Sequence, residues 1–187
     1  MRILRVVYIL LLCACAPFAR AAVSEADAGH FVLHYTIAVK TPVANAYANV
    51  VDVARWWSSD HTYSSSAKNL RLDARAGGCW CEKWDGGSVQ HMTVLLAMPG
   101  KLLRLGGGLG PLQSGAVDGT LTFSFKATEG GSEISVDYAV AGFFTGGLDK
   151  VAGGVDQVLG AQIERLRQLS EGLTPSDPIR NDPVKKH

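Results

Sequence analysis

The densest group of reactive side chains is Cys79, Trp80, Cys81 and Glu82, with His91 following nine residues after the glutamate. On a strand alternate side chains share a face, so both sulfurs point one way and Trp80 the other. The chain then returns through Asp85-Gly86-Gly87, and the length of that turn decides what His91 meets. A three-residue turn sets His91 opposite Cys81, where Cys79, Cys81 and His91 could hold zinc or copper, with His61 as a fourth ligand. A two-residue turn sets it opposite Trp80, on the face of Glu82, as an acid/base pair able to move a proton beside a carbonyl. The same two residues also fit a cross-strand surface ion pair. The cysteines by themselves fit a disulfide, redox-active or otherwise, or two inert buried thiols.

Trp56-Trp57-Ser58-Ser59-Asp60-His61-Thr62-Tyr63 brings three aromatics and a His-Asp neighbour pair into eight residues. This composition suits a ligand-contacting segment, and it equally suits a tryptophan anchor under a solvated loop. His61 is a further acid or base candidate, although adjacent residues such as Asp60 seldom face each other. Gly106-Gly107-Gly108-Leu109-Gly110-Pro111 lacks the Gly-Lys-Ser/Thr of a phosphate loop and reads as a flexible connection, with a lid over a cavity as its functional form. No nucleophile-elbow, zinc-protease or dinucleotide fingerprint is present, and no cofactor is expected.

The elements that must position these residues follow from hydrophobic periodicity. Phe31, Leu33, Tyr35, Ile37 and Val39 alternate with smaller or polar residues and predict a strand, preceded by a frayed segment 22–29. Thr41-Pro42 opens a helix with Thr41 as its N-cap, carried by Val43, Ala46, Tyr47 and Val50 and ending near Val51. A second short helical segment is expected over 52–57. Alternation broken by glycine turns then predicts five or six strands between Leu70 and Val140. Within them Leu121, Phe123 and Phe125 face Ile134, Val136 and Tyr138 across a hairpin. Leu148, Val151, Val155, Val158, Leu159, Gln162, Leu166 and Leu169 predict one long helix to about Glu171, weakened by Gly153, Gly154 and Gly160. Residues 172–187 read as a solvated tail.

The chain has 187 residues, 47% hydrophobic and 19% charged, with a formal net charge of +1. One domain is expected, and the absence of any basic run beyond Lys185-Lys186 argues against nucleic-acid binding. Arg2 and Arg5, the apolar run from Val6 to Ala16, and Ala19-Arg20-Ala21 form a secretory leader over residues 1–21, so an exported, periplasmic protein is expected. Leu12-Cys13-Ala14-Cys15 offers a competing lipobox, with Cys15 as the lipidated residue. Cleavage after Ala21 leaves 15 basic against 17 acidic residues and only Cys79 and Cys81 as thiols, so a core rather than a disulfide framework must stabilise the domain. No segment is long enough for a transmembrane anchor.

The order of elements, with Thr41-Pro42-Val43, Val53-Ala54-Arg55-Trp56-Trp57, Ala76-Gly77-Gly78-Cys79-Trp80-Cys81-Glu82, Pro99-Gly100-Lys101-Leu102-Leu103 and the last helix, resembles the START-like (SRPBCC) superfamily over residues 31–171. The resemblance implies an α+β helix-grip domain over 22–171. It comprises two short helices after the first strand and an antiparallel sheet of about seven strands curled round the C-terminal helix. It also implies a cavity between sheet and helix for a lipid, polyketide or other small apolar molecule. Residues expected to line it are Trp56, Trp57, Tyr63, Trp80, Tyr138, Phe143, Phe144, Val151, Val155 and Leu159, against the alternative that these aromatics fill the core. Three functions follow: a monomeric or weakly dimeric binder of an apolar molecule, a cyclase or dehydratase using His61, Glu82 or His91, and a partner-binding module resembling the activators of heat-shock ATPases. Export counts against the third.

Overall fold

The computed structural model describes residues 22–177. The chain runs β1 (Ala22–Ala26), β2 (His30–Val39), α1 (Val43–Val51), β3 (Leu70–Leu72), β4 (Cys79–Trp84), β5 (Gly87–Met98), β6 (Leu102–Gly106), β7 (Ala116–Thr128), β8 (Gly131–Phe143) and α2 (Leu148–Ser170), with single 3-10 turns in the connections. The strands form one antiparallel sheet of eight in the order β1-β2-β8-β7-β6-β5-β4-β3, and α2 packs on it, which is the general helix-grip arrangement. The leader, its cleavage point, Cys15 and the last ten positions lie outside the described residues.

Alternation dictates the centre of the sheet. Phe31, Leu33, Tyr35, Ile37 and Val39 are all buried, and the hairpin pairs Leu121 with Tyr138, Phe123 with Val136 and Phe125 with Ile134. A side chain of this kind contributes about 1.5–3 kcal/mol on burial, so a one-residue slip of either strand would expose the whole set. Gly131 makes the hairpin's close approach possible: its φ is 151°, and a Cβ there would lie 2.1 Å from the Val39 carbonyl oxygen.

Two expectations are corrected. Residues 22–26 are not frayed: they form the eighth strand, pairing with β2 on the sheet edge, and the Ser24 hydroxyl donates to the Val32 carbonyl at 3.0 Å. Main-chain bonds of this sort carry no side-chain pattern, so Ala-Val-Ser-Glu-Ala gives no alternation to detect. Thr41 does not cap α1, where Pro42 stands at the N-cap without a side-chain bond. Its hydroxyl instead donates to the Ser170 carbonyl and ties the start of α1 to the end of α2.

The two halves of α2 differ. Its C-terminal half buries Leu159, Gln162, Ile163, Leu166 and Leu169, and Arg165 donates from Nε to the Trp56 carbonyl at 2.7 Å. Its N-terminal half buries only Leu148 and Ala152, leaving Val151, Val155 and Val158 partly exposed and Gly153 and Gly154 open. The Tyr35 hydroxyl, buried under this half, donates to Asp156 Oδ1 at 2.8 Å, and burial pushes its ionisation well above the usual phenol range. The N-terminal half is thus held on the sheet by Leu148, Ala152 and the Tyr35–Asp156 bond along one face, while its Val151, Val155 and Val158 face is left open.

Candidate functional site

Beside that open face lies a cavity of about 830 Å³, and its lining is mostly apolar. Val151, Gly154, Val155, Val158 and Leu159 form one wall, and Leu109 to Leu112 form the facing one. Trp57, Phe144 and the segment 61–63 close the sides, and His91 reaches in from β5. Gly154 on this wall is exposed, and a Cβ added there would meet nothing within 4 Å. A second hollow of about 780 Å³, between residues 51–55 and 68–72, is lined by Asp52, Arg55, Lys68 and Arg71 and brings no such groups together.

The Gly106–Gly119 stretch forms a pinned wall rather than a flexible link. Leu112 is buried, and the Tyr138 hydroxyl accepts from the Leu109 amide at 3.0 Å while donating to the Gly107 carbonyl at 3.3 Å. Burial pushes the Tyr138 phenol up to about 12, so it keeps the proton it donates.

Six of the ten expected lining residues do line the cavity: Trp57, Tyr63, Phe144, Val151, Val155 and Leu159. The other four are corrected. Trp56 and Trp80 are buried behind the wall in a cluster with Trp57, at ring separations of 5.5 Å for Trp56–Trp57 and 5.0 Å for Trp57–Trp80. Tyr138 lies beneath the glycine segment it anchors. Phe143 is 72% exposed, because β8 continues past Val140 and its alternation turns Phe143 outward and leaves the next residue to face in. The segments holding Leu109–Pro111 and Thr62 were expected near a cavity without those residues being singled out, and sequence reasoning missed Leu112, Lys150, Gly154 and Val158. The unexplained helix glycines were the available signal.

The turn after β4 has two residues, with Trp84 paired to Gly87. A β-bulge follows: Trp80 pairs with Met92 and Cys81 with Gln90, so His91 has no partner across the ladder. Bulges redirect side chains, and here His91 and Met92 are both buried although they are neighbours in a strand. His91 Nε2 lies 3.1 Å from Glu82 Oε2. The Glu82 carboxylate, fully buried, also accepts from the Tyr63 amide at 3.1 Å and the Ser64 amide at 2.5 Å. Burial is the largest influence on Glu82 and opposes its charge, but the bonds from Ser64, Tyr63 and His91 together hold its carboxyl below the usual range. Burial likewise dominates at His91 and holds the imidazole below its ordinary value against the opposing pull of Glu82. The pair is thus a carboxylate and a neutral imidazole.

A surface ion pair is therefore not what Glu82 and His91 form: they are 0% and 7% exposed. The metal set is not assembled either. Trp80 and Glu82 point into the protein, whereas Cys79 and Cys81 lie on the other face of β4 and are joined to each other by a disulfide. Among the described residues no three His, Cys, Asp or Glu side chains are grouped to hold a metal. His61 stands at the exposed rim, where its carbonyl accepts from Trp57 Nε1 at 2.9 Å, apart from the buried pair. Because the disulfide faces away from the cavity, the double substitution Cys79→Ser, Cys81→Ser is expected to change the affinity for an apolar probe less than about twofold, read by calorimetric titration. A larger loss would mean that the outer face of β4 controls the wall.

No family model matches the sequence, and no curated protein matches it. Solved structures do share the fold. A conserved protein of unknown function from Enterococcus faecalis superimposes with a TM-score of 0.56 at 13% identity, over 87% of this chain and 82% of that one. An uncharacterised protein from Rhizobium leguminosarum gives 0.55 at 20% identity, over 79% and 98%. CalU16 from Micromonospora echinospora gives 0.56 at 14% identity, over 84% and 86%. These likenesses establish the antiparallel sheet with its C-terminal helix and nothing about chemistry. No helix among the described residues is long and apolar enough to cross a membrane.

Proposed function

We propose that this chain is an exported member of the START-like superfamily that binds a small apolar molecule between its sheet and the N-terminal half of α2. The observation that carries the reading is the apolar hollow of about 830 Å³, a size that suits drug-sized or lipid-like ligands. A filled core at this place would have favoured a partner-binding module instead. The test is mass spectrometry of the protein purified from its own exported compartment, under native and denaturing conditions. The expected result is a chain beginning at Ala22 with an adduct of a few hundred daltons in the native spectrum alone. Identical masses, together with no uptake of added hydrophobic probes, would overturn the reading.

A second reading, a cyclase- or dehydratase-like enzyme, is favoured by His91 on the cavity wall with the buried Glu82 bonded behind it. A carboxylate that orients a neutral histidine is the arrangement general-base catalysis uses, although that catalysis needs a substrate proton within reach of the ring.

A further inference from the structure

The polarity of one nitrogen selects the ligand's head group. An ionised carboxylate only accepts hydrogen bonds, so the contact between Glu82 Oε2 and His91 Nε2 places the imidazole proton on Nε2. Burial keeps the ring from taking a second proton. Nδ1 then carries a free lone pair. It makes no hydrogen bond among the described residues, yet it is not sealed off by protein, and His91 lines the cavity.

Nδ1 cannot present an N–H instead: the Tyr63 and Ser64 amides hold Glu82 in place, so moving the proton to Nδ1 would set the Nε2 lone pair against the carboxylate, and turning the ring over would set a carbon there and lose the bond. Most other polar groups on the lining are already engaged. The Thr62 hydroxyl donates to the Ser59 carbonyl at 2.7 Å, the Tyr63 hydroxyl to the Gly110 carbonyl at 3.3 Å, and Lys150 is paired with Asp149 at 2.6 Å. His61 remains at the solvent-exposed rim. One acceptor in an apolar wall loses its water when a ligand enters, so a ligand that gives nothing back to it binds at a cost.

We infer that His91 Nδ1 accepts a hydrogen bond from the ligand's head, so that the cavity selects a neutral apolar molecule bearing a hydroxyl or N–H donor, such as a phenol, enol or alcohol, over the corresponding ether, ester or carboxylate. An ionised acid is disfavoured because its charge would come to rest beside the Glu82 carboxylate. The inference rests on the cavity reading proposed above and deepens it.

A matched pair of probes tests it: 9-phenanthrol and 9-methoxyphenanthrene have the same apolar body and differ in the donor. Calorimetric titration of the processed protein at pH 8 is expected to show the phenol bound about five- to tenfold more tightly than the ether, the worth of one neutral hydrogen bond. His91→Phe is expected to erase that preference and leave ether binding in place. If His91→Phe does not fold, the 15N resonance of His91 Nδ1 in the unsubstituted protein serves instead, shifting with the phenol and not with the ether. Equal affinities for the two probes, or a preference that survives in His91→Phe, overturn the head-group assignment while the cavity reading stands. Binding of neither probe overturns both.

Discussion

Val155→Trp is expected to fold normally and to bind 9-methoxyphenanthrene at least about a hundredfold more weakly than the unsubstituted chain, a loss of about 3 kcal/mol. Val155 stands on the open face of the N-terminal half of α2, is only partly buried, and lines the hollow. In a close-packed core an added indole would force neighbours off their rotamers at about 1–3 kcal/mol. Here the volume is empty, so the ring gains apolar burial and displaces the ligand instead. Titration with the ether gives the affinity and thermal unfolding gives the fold. Unimpaired binding by a folded variant would mean that the ligand lies elsewhere.

Glu82→Ala carries the largest expected effect on stability. It strands the Tyr63 and Ser64 amides and the His91 Nε2–H, three donors gathered round one fully buried carboxylate. An unsatisfied buried donor costs about 1–3 kcal/mol, so the combined loss is expected to reach about 3 kcal/mol and to lower the melting temperature of a domain this size by roughly 10 °C. Acid should act on the same network. The folded His91 resists protonation relative to its ordinary value of 6.5, so below that pH the unfolded chain holds more protons and stability declines as pH falls. Glu82 continues the decline through the carboxylate range, because its folded ionisation lies below the ordinary 4.5. His30, raised by its bond to Glu25, has the opposite sign, but it is exposed and therefore weak. Melting temperature measured from pH 8 to pH 4 should fall in the unsubstituted chain, with the step near 6.5 missing in His91→Phe. A flat profile in the former would exclude a buried neutral imidazole.

Alternating strands and the long helix were legible because burial forces a period. The face of β7 that carries Phe123 and the run from Leu148 to the end of α2 had to point inward whatever the rest of the chain did. The site was legible only in part. Placing Glu82 and His91 on one face required the turn length, and burying His91 required a bulge, an irregularity of one residue that leaves no periodic trace. Residue type likewise does not tell a tryptophan on a cavity wall, Trp57, from two behind it, Trp56 and Trp80. Phe143 and Phe144 exchange roles according to where β8 ends. The cavity itself arises from volume that side chains leave unfilled, and among single residues only the glycines of α2 recorded it.

The division of α2 separates two kinds of constraint along one helix. Leu159, Ile163, Leu166 and Leu169 hold the fold together, and a change at any of them is felt by the whole domain. Val151, Gly154 and Val158 shape the chamber while contributing little to the core, so their side chains can vary in size without unfolding the protein. On the reading proposed above, such a scaffold is evolvable at low risk: single changes in two turns of helix would refit the chamber to differently shaped molecules, with His91 left in place.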